Sequence, residues 1–182
     1  MMPVETLGGS RSHVELLQRS LTEDARWAWR HLFLGWLAAS PFTPRAVRFL
    51  LYRVFGYAIE TANIWPRCTI VGRHLMIGAG TFVNQQCFFE ALAPIRIGRF
   101  CQIGMATMII TSHHRITGEG AGAEVNLPVT IGDRVWLGAR SMVLPGVTIG
   151  DRVIVAAGAV VTRDLLEPAV YAGVPARRVR DL

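Results

Sequence analysis

The sequence predicts an all-β solenoid, because small aliphatic residues recur at every sixth position over much of the chain. A period of six fits neither an amphipathic helix, near 3.6 residues, nor a two-sided strand. It fits short strands that each end in a corner, and the glycine that follows many of the aliphatic residues suits a corner's backbone. The aliphatic positions are Val71, Ile77, Val83, Phe89, Ile97, Ile103, Ile109, Ile131, Leu137, Val143, Ile149, Val155 and Val161.

A second set of small residues lies four positions after eight of the aliphatic residues and is expected to complete the interior. Its members are Thr81, Cys87, Cys101, Thr107, Ser141, Val147, Val153 and Ala159.

The repeat is interrupted twice. The step from Phe89 to Ile97 is eight residues, which predicts a bulge around Ala93-Pro94. The step from Ile109 to Ile131 is twenty-two residues, or three repeats plus four. Solenoids place insertions in loops on their faces, often binding faces. We therefore expect a protruding loop over 111–128, and its opening Ser112-His113-His114-Arg115 is the first candidate for chemistry.

The N-terminal third has a different pattern, and residues 1–60 are predicted as a helical segment ahead of a solenoid domain over 61–182 with a C-terminal tail from 165. One helix is expected from Arg11 to about Ala39 and a second, opened by proline, from Pro44 to Tyr57. The apolar run 32–42 is far shorter than the ~20 residues that a membrane span needs. The segment's tryptophans and arginines suit a peripheral membrane surface, but packing on the solenoid or between subunits is favoured.

Composition narrows the function classes. Apolar residues make up 51% of the 182 residues, which is ample for one core. Three cysteines do not suggest a disulfide framework, and Cys87 and Cys101 are expected to be packed thiols in a reduced compartment. The first residues do not have the pattern of a signal peptide, so a cytoplasmic protein is expected. The net charge is +6, but the basic residues are scattered and no nucleic-acid motif is present.

Several motifs carry a family resemblance. They are Phe82-Val83-Asn84, Thr111-Ser112-His113-His114-Arg115, the segments 128–138 and 144–151, Gly158-Ala159-Val160-Val161-Thr162-Arg163-Asp164, and Ala172-Gly173-Val174-Pro175-Ala176-Arg177. The stretch 71–180 resembles the hexapeptide-repeat acyltransferases, in particular the galactoside, maltose and nodulation-sugar O-acetyltransferases and the xenobiotic acetyltransferases. The resemblance implies a left-handed parallel β-helix with a triangular cross-section. It also implies a homotrimer that binds acetyl-coenzyme A between neighbouring subunits.

His114 is the predicted catalytic residue. An aliphatic hydroxyl is a poor nucleophile at neutral pH, and an imidazole with an ordinary pKa of about 6.5 is matched to removing its proton. Counted from Ile109, His113 takes the inward small-residue position and His114 the outward one. The family motif also places its catalytic histidine at His114. Ser112 beside a histidine is no evidence for a nucleophilic dyad, because adjacency in sequence does not give the geometry.

Four residues are assigned to the acceptor side of the site. Asn84 matches the family's acceptor-binding asparagine, and a carboxamide can both donate to and accept from hydroxyls. Trp136 matches a tryptophan that lines the site, and His113 is expected to bind acceptor or orient the loop. The role of Glu90 stays open, since it can bind acceptor, orient His114 or be a solvated edge.

The donor side is also implied by the resemblance. Ala139 and Ala157 match positions whose backbone amides contact the thioester and pantetheine arm. Further matches are Thr162 and Arg163 and the C-terminal Arg177 and Arg180, and arginine suits phosphate because its fork donates two parallel hydrogen bonds. No cysteine or serine is placed as an activated nucleophile, so direct transfer in a ternary complex is expected.

The predicted function is acetyl-coenzyme A-dependent O-acetyl transfer to a hydroxyl of a sugar, saccharide or antibiotic. An N-acyltransferase acting on an amino sugar or sugar nucleotide, and a non-catalytic β-helix that only binds, stay open as alternatives. A γ-type carbonic anhydrase would need three zinc histidines at matched spacing. The five histidines of this sequence form only one useful cluster, His113-His114, so this enzyme class is rejected and no metal is expected.

Overall fold

The computed structural model describes residues 28–29 and 31–182. Residues 11–27 and 30 of the first predicted helix lie outside that range. The described end of this helix, α1 (His31–Ala38), has π spacing, since the amide of Ala39 donates to the carbonyl of Leu34 at 3.1 Å. Helix α2 (Arg45–Val54) follows Pro44 as predicted but ends three residues before Tyr57. No helix of the described part is long and apolar enough to cross a membrane.

Three sheets with parallel strands form the faces of the solenoid. Sheet A consists of β1 (Ala58–Ile59), β3 (Leu75–Ile77), β6 (Ile95–Ile97), β11 (Val129–Ile131) and β14 (Thr148–Ile149). Sheet B consists of β4 (Phe82–Val83), β7 (Gln102–Ile103), β12 (Trp136–Leu137), β15 (Ile154–Val155), β17 (Ala169–Ala172) and the antiparallel β18 (Arg177–Asp181). Sheet C consists of β2 (Thr69–Gly72), β5 (Phe88–Ala91), β8 (Met108–Ile110), β13 (Met142–Val143) and β16 (Val160–Val161).

The predicted aliphatic positions form the core from Ile77 onward, and the predicted fold class is confirmed. Residues six apart lie on successive sheets, and like positions of successive coils pair in register, as Ile103 does with Leu137. All eight members of the small-residue set are buried as well. The apolar interior is therefore continuous along the solenoid.

The first aliphatic position of the repeat is Ile70, one residue earlier than the predicted Val71. Ile70, not Val71, pairs with the buried Phe89, and Val71 pairs with Glu90 on the outer side of sheet C. Seven residues separate Ile70 from Ile77 because Gly72, with φ 82°, adds a residue at the corner.

The glycines after the aliphatic residues serve a different purpose from the predicted one. Gly78, Gly98, Gly104, Gly132, Gly138 and Gly150 are not among the residues with positive φ. Positive φ occurs two positions later instead, mostly at other residue types such as Phe100 (56°) and Arg134 (58°). What excludes a side chain is the next coil, since a Cβ on Gly98 would lie 2.5 Å from the carbonyl oxygen of Gly132. Close stacking of coils, not backbone freedom, requires glycine here.

Helix α2 closes the N-terminal end of the solenoid through Arg48. Its buried guanidinium donates to four carbonyl oxygens, which include those of Ala38 and of Ile64 in the first coil. In the described part of the chain, the ring contacts of the N-terminal aromatics are with one another and not with the solenoid strands, where packing was one of the two expectations. Phe33 packs between Trp29 and Phe55, whereas Trp36 is 74% exposed.

The predicted loop over 111–128 is an ordered β-hairpin. Strands β9 (Ser112–Thr117) and β10 (Gly120–Asn126) pair antiparallel, with His114 opposite Glu124. A β-bulge between Ala121 and Glu124 gives β10 one residue more than β9 in this stretch, next to the His114–Glu124 pair. The hairpin leaves sheet C directly after β8, and most of its residues are exposed.

Candidate active site

A surface cavity of about 570 Å³ lies along the corner that follows sheet B. It brings together five of the predicted site residues, namely Asn84, Trp136, Ala139, Ala157 and Arg180. The other six predicted site residues do not line it, namely Glu90, His113, His114, Thr162, Arg163 and Arg177.

The floor of the cavity is a column of stacked corner residues. Backbone hydrogen bonds join each coil to the next, from Asn84 N–H to Ile103 (2.9 Å) and from Gly104 N–H to Leu137 (2.7 Å). Gly138 and Ala156 continue the column in the next two coils, so its four residues are Asn84, Gly104, Gly138 and Ala156. Three steps at the spacing of ~4.8 Å between strands give a floor about 14 Å long. Because three of its four residues are glycine or alanine, a slender ligand can approach the backbone along it.

Two backbone amides beside this floor are free to donate a hydrogen bond to a ligand. No residue of the described part accepts a hydrogen bond from the amide of Ala139 or of Ala157. Gly104 and Gly138 lie over these two amides, and a Cβ on Gly104 would lie 2.5 Å from the nitrogen of Ala139. The missing side chains therefore leave both amides uncovered, which agrees with the predicted role of Ala139 and Ala157 as backbone donors.

Asn84 ends the floor at the side of the N-terminal coils and is held in place. Its Oδ1 accepts from the amide of Gln85 at 2.8 Å, and its backbone carbonyl accepts from the thiols of Cys68 and Cys87, each at 3.2 Å. The side-chain Nδ2 has no acceptor in the described part of the chain. Asn84 can therefore donate a hydrogen bond to a ligand from a fixed position.

Of the predicted basic residues, Arg180 alone lies at the other end of the cavity. Arg180, opposite Val170 in the β17–β18 pair, lines it. Arg177 begins β18, and Thr162 and Arg163 follow β16; all three are exposed. Since Ala176 N–H donates to the carbonyl of Val160 at 2.8 Å, Arg177 is adjacent to β16.

His114 is exposed on β9, and one contact fixes its tautomer. Its Nδ1 is 2.9 Å from the carbonyl oxygen of Gly122, which belongs to the bulge in β10. A carbonyl only accepts, so Nδ1 carries the proton and donates. In the neutral imidazole the lone pair is then on Nε2. His114 is thus arranged to accept a proton through Nε2.

The predicted inward position of His113 is wrong. The six-residue count holds only as far as β8, because the chain leaves the solenoid at Thr111. Thr111 is fully buried and its hydroxyl donates to the carbonyl of Glu90 at 2.6 Å, whereas His113 is exposed opposite Val125. His113 and His114 do face opposite sides of the extended strand.

The structure adds groups to the site that the sequence did not reveal. Gly104 and Met105 line the cavity, and the carbonyl of Gly122 holds His114. The position of Gly104 in the repeat was a usable signal, since it is equivalent to Gly138. The role of Gly122 had no signal, because it depends on the pairing of β9 with β10.

The cysteines are unsuited to a nucleophilic role. All three are free and buried, as predicted for Cys87 and Cys101. Burial raises the pKa of the Cys101 thiol, which disfavours its thiolate. A hydrogen bond with Cys87 lowers the pKa of the Cys68 thiol, but Cys68 is buried and out of reach of a substrate. No cluster of three or more His, Cys, Asp or Glu suited to a metal occurs in the described residues.

Known proteins share both sequence and fold with this chain. Residues 128–163 match the family model described as the hexapeptide repeat of succinyl-transferase. A putative acetyltransferase of Staphylococcus haemolyticus is 40% identical over 136 residues, which cover 73% of this chain and 71% of that protein. The galactoside O-acetyltransferase of Escherichia coli is 41% identical over 138 residues, which cover 73% of this chain and 67% of that protein.

A solved structure, galactoside acetyltransferase in complex with coenzyme A, aligns with a TM-score of 0.74 at 28% identity. The alignment covers 84% of this chain and 79% of the other. This chain spans 58–71% of the length of five curated relatives that it matches. On this shared repeat, fold and sequence, the chain belongs to the hexapeptide-repeat acetyltransferases, whose fold is the left-handed parallel β-helix.

Proposed function

We propose that this protein transfers an acetyl group from acetyl-coenzyme A to a hydroxyl of a sugar-like acceptor, with His114 as general base. The observation that carries the proposal is the bond from His114 Nδ1 to the Gly122 carbonyl, which leaves Nε2 as the proton acceptor. The names of relatives, among them a galactoside O-acetyltransferase, support the acceptor class.

The reaction follows from this tautomer. As the acceptor oxygen attacks the thioester carbonyl, Nε2 of His114 takes the hydroxyl proton. The tetrahedral intermediate collapses, the C–S bond breaks, and the imidazolium returns the proton to the departing thiolate. The products are an acetyl ester and free coenzyme A. The Gly122 carbonyl stabilises the imidazolium that forms between these steps, because it accepts from the protonated Nδ1.

The cavity floor supports a place for the donor. Its small residues give the pantetheine arm access to the free amides of Ala139 and Ala157, and Arg180 lies where a phosphate can be paired. Asn84, at the opposite end, would then be close to the acetyl group and the acceptor. With a base on the hairpin and all three thiols buried, transfer needs no acyl-enzyme.

A homotrimer would complete the site, because His114 does not line the cavity of its own chain. The outer face of sheet C carries an apolar row, aligned in register across four coils, of Phe88, Met108, Met142 and Val160. The corresponding row on sheet A includes Arg96, Thr130 and Thr148. Sheet C is therefore better suited than sheet A to contact a neighbouring subunit, whose hairpin or cavity would meet that of the first.

The test is a panel of hydroxyl and amino acceptors incubated with acetyl-coenzyme A. Release of free thiol and the mass of the acetylated product are measured together. We expect acceptor-dependent thiol release and a product that hydroxylamine cleaves, as it cleaves esters. A hydroxylamine-resistant amide would indicate N-transfer, and no turnover with any acceptor would favour a protein that only binds.

A further inference from the structure

We propose that Glu90 is a positioning residue that fixes the root of the β9–β10 hairpin and thereby aims His114. This inference rests on the proposed role of His114 as general base. Glu90 lies on β5 of sheet C, where it pairs with Ile110 of β8. The chain leaves the solenoid immediately after Ile110, so Glu90 is adjacent to the point at which the hairpin begins.

Three hydrogen bonds connect Glu90 to the first two residues of the excursion. Oε2 accepts from the amide of Ser112 at 3.1 Å and from its hydroxyl at 2.6 Å. The backbone carbonyl of Glu90 accepts from the hydroxyl of Thr111 at 2.6 Å. The same Thr111 hydroxyl accepts from the amides of Leu92 and Ala93, at 3.2 and 3.1 Å. The hairpin root is thus bound to β5 and to the residues that follow it.

The bond to the Ser112 side chain controls orientation as well as position. Side chains two residues apart on a strand point to the same face, so the side chain of His114 shares the face of Ser112. A carboxylate that holds both the amide and the hydroxyl of Ser112 fixes the roll of β9 about its own axis. Beyond the root, β9 is exposed and, among the described strands, pairs only with β10. The direction of Nε2 therefore depends on this anchor.

The contacts of Glu90 favour this role over acceptor binding and over a solvated edge, the other two roles that the sequence leaves open. Its carboxylate has no hydrogen bond with His114 in the described structure, so it acts through Ser112. It is also half-buried at the hairpin root, which argues against a solvated edge. Its Oε2 already accepts two hydrogen bonds from Ser112, which argues against acceptor binding through that oxygen.

Glu90→Ala and Glu90→Gln form the test pair, because an amide oxygen can accept both Ser112 bonds without the charge. A displacement of about 1 Å in a catalytic group can cost about a hundredfold in rate. We expect Glu90→Ala to lower kcat about 30- to 100-fold with both KM values within twofold of wild type. Glu90→Gln should retain kcat within about threefold. Glu119→Ala, an exposed carboxylate at the hairpin tip, is the control and should behave as wild type.

Amide hydrogen exchange supplies a readout that does not depend on catalysis. In Glu90→Ala the amide of Ser112 loses its acceptor, so its exchange should accelerate about tenfold or more, and Glu90→Gln should restore protection. If wild type transfers no acetyl group but this exchange pattern appears, the proposed function fails and the positioning role stands. Unchanged exchange in Glu90→Ala overturns the positioning role whatever the activity.

Three kinetic outcomes would also overturn the inference. One is a raised acceptor KM at unchanged kcat in Glu90→Ala, which would make Glu90 an acceptor ligand. Another is a Glu90→Gln variant as slow as Glu90→Ala, which would mean that the charge matters. If Glu90→Ala does not fold, Ser112→Ala carries the test, since it removes the 2.6 Å bond alone. A several-fold lower kcat at unchanged KM is then expected, and wild-type kcat contradicts the proposal.

Discussion

Substituting Gly104 by alanine tests how the coils stack and how the donor is bound. Gly104 does not have a positive φ, so alanine meets no backbone penalty. The obstacle is the next coil, because the new Cβ would lie 2.5 Å from Ala139 N, 2.7 Å from Gly138 C and 2.8 Å from Leu137 O. All three are backbone atoms of a hydrogen-bonded corner, and they cannot rotate away as a side chain could. The two coils must separate locally.

Overpacking of this kind costs about 1–3 kcal/mol. For a chain of this size each kcal/mol lowers Tm by about 2–4 °C, so a fall of roughly 2–12 °C is expected in thermal unfolding followed by circular dichroism. The Cβ would also cover the Ala139 amide. Loss of one neutral hydrogen bond, about 1 kcal/mol, should raise the KM for acetyl-coenzyme A about fivefold.

Gly118→Ala is the matched control, because nothing lies within 4 Å of a Cβ at that position in the hairpin turn. Its Tm should stay within about 1 °C of wild type. A Gly104→Ala variant with the Tm and donor KM of wild type would refute both the stacking argument and the placement of the donor on this floor.

Three further predictions concern the donor, the mechanism and the assembly. Arg180→Ala should raise the KM for acetyl-coenzyme A by about tenfold or more at unchanged kcat, since a charge-assisted bond is worth about 1.5–3 kcal/mol. Arg178, already paired with Glu167 and Asp181, is the control and should change that KM less than twofold when replaced by alanine. Intact-mass analysis of the protein with acetyl-coenzyme A and no acceptor should find no adduct, and an acetylated protein would contradict direct transfer. Sedimentation should give the mass of three chains, whereas full activity at the mass of one chain would contradict a shared site.

The solenoid could be predicted from sequence because each coil repeats the same steric requirement. An inward aliphatic residue such as Ile103 or Leu137 is specified by its own position, and its burial needs no knowledge of distant parts. The glycine after the aliphatic residue was expected for its backbone freedom, but it is required for another reason. The contact that excludes a Cβ on Gly98 comes from Gly132, thirty-four residues later. Only the stacked structure reveals that contact.

The site was predicted where it depends on the repeat and missed where it depends on pairing across the insertion. Asn84 and Ala139 keep their repeat positions, and both line one cavity. The predicted inward position of His113 is wrong because the six-residue repeat does not continue past Thr111. The chain leaves the solenoid there, and the Thr111 hydroxyl is bonded to the Glu90 carbonyl. The partner of His114 could not be foreseen, since a bulge in β10 brings the Gly122 carbonyl to it.

The central claim is that Nε2 of His114 is the base for acetyl transfer, and a comparison of the two adjacent histidines tests it most directly. His114→Ala and His113→Ala are measured at saturating acetyl-coenzyme A with an acceptor that the wild type uses. Loss of the general base should lower kcat by about 10²–10⁴ in His114→Ala, with the fold intact by circular dichroism, and His113→Ala should lose much less. A His114→Ala variant that keeps kcat within threefold of wild type, or a larger loss in His113→Ala, would contradict the account.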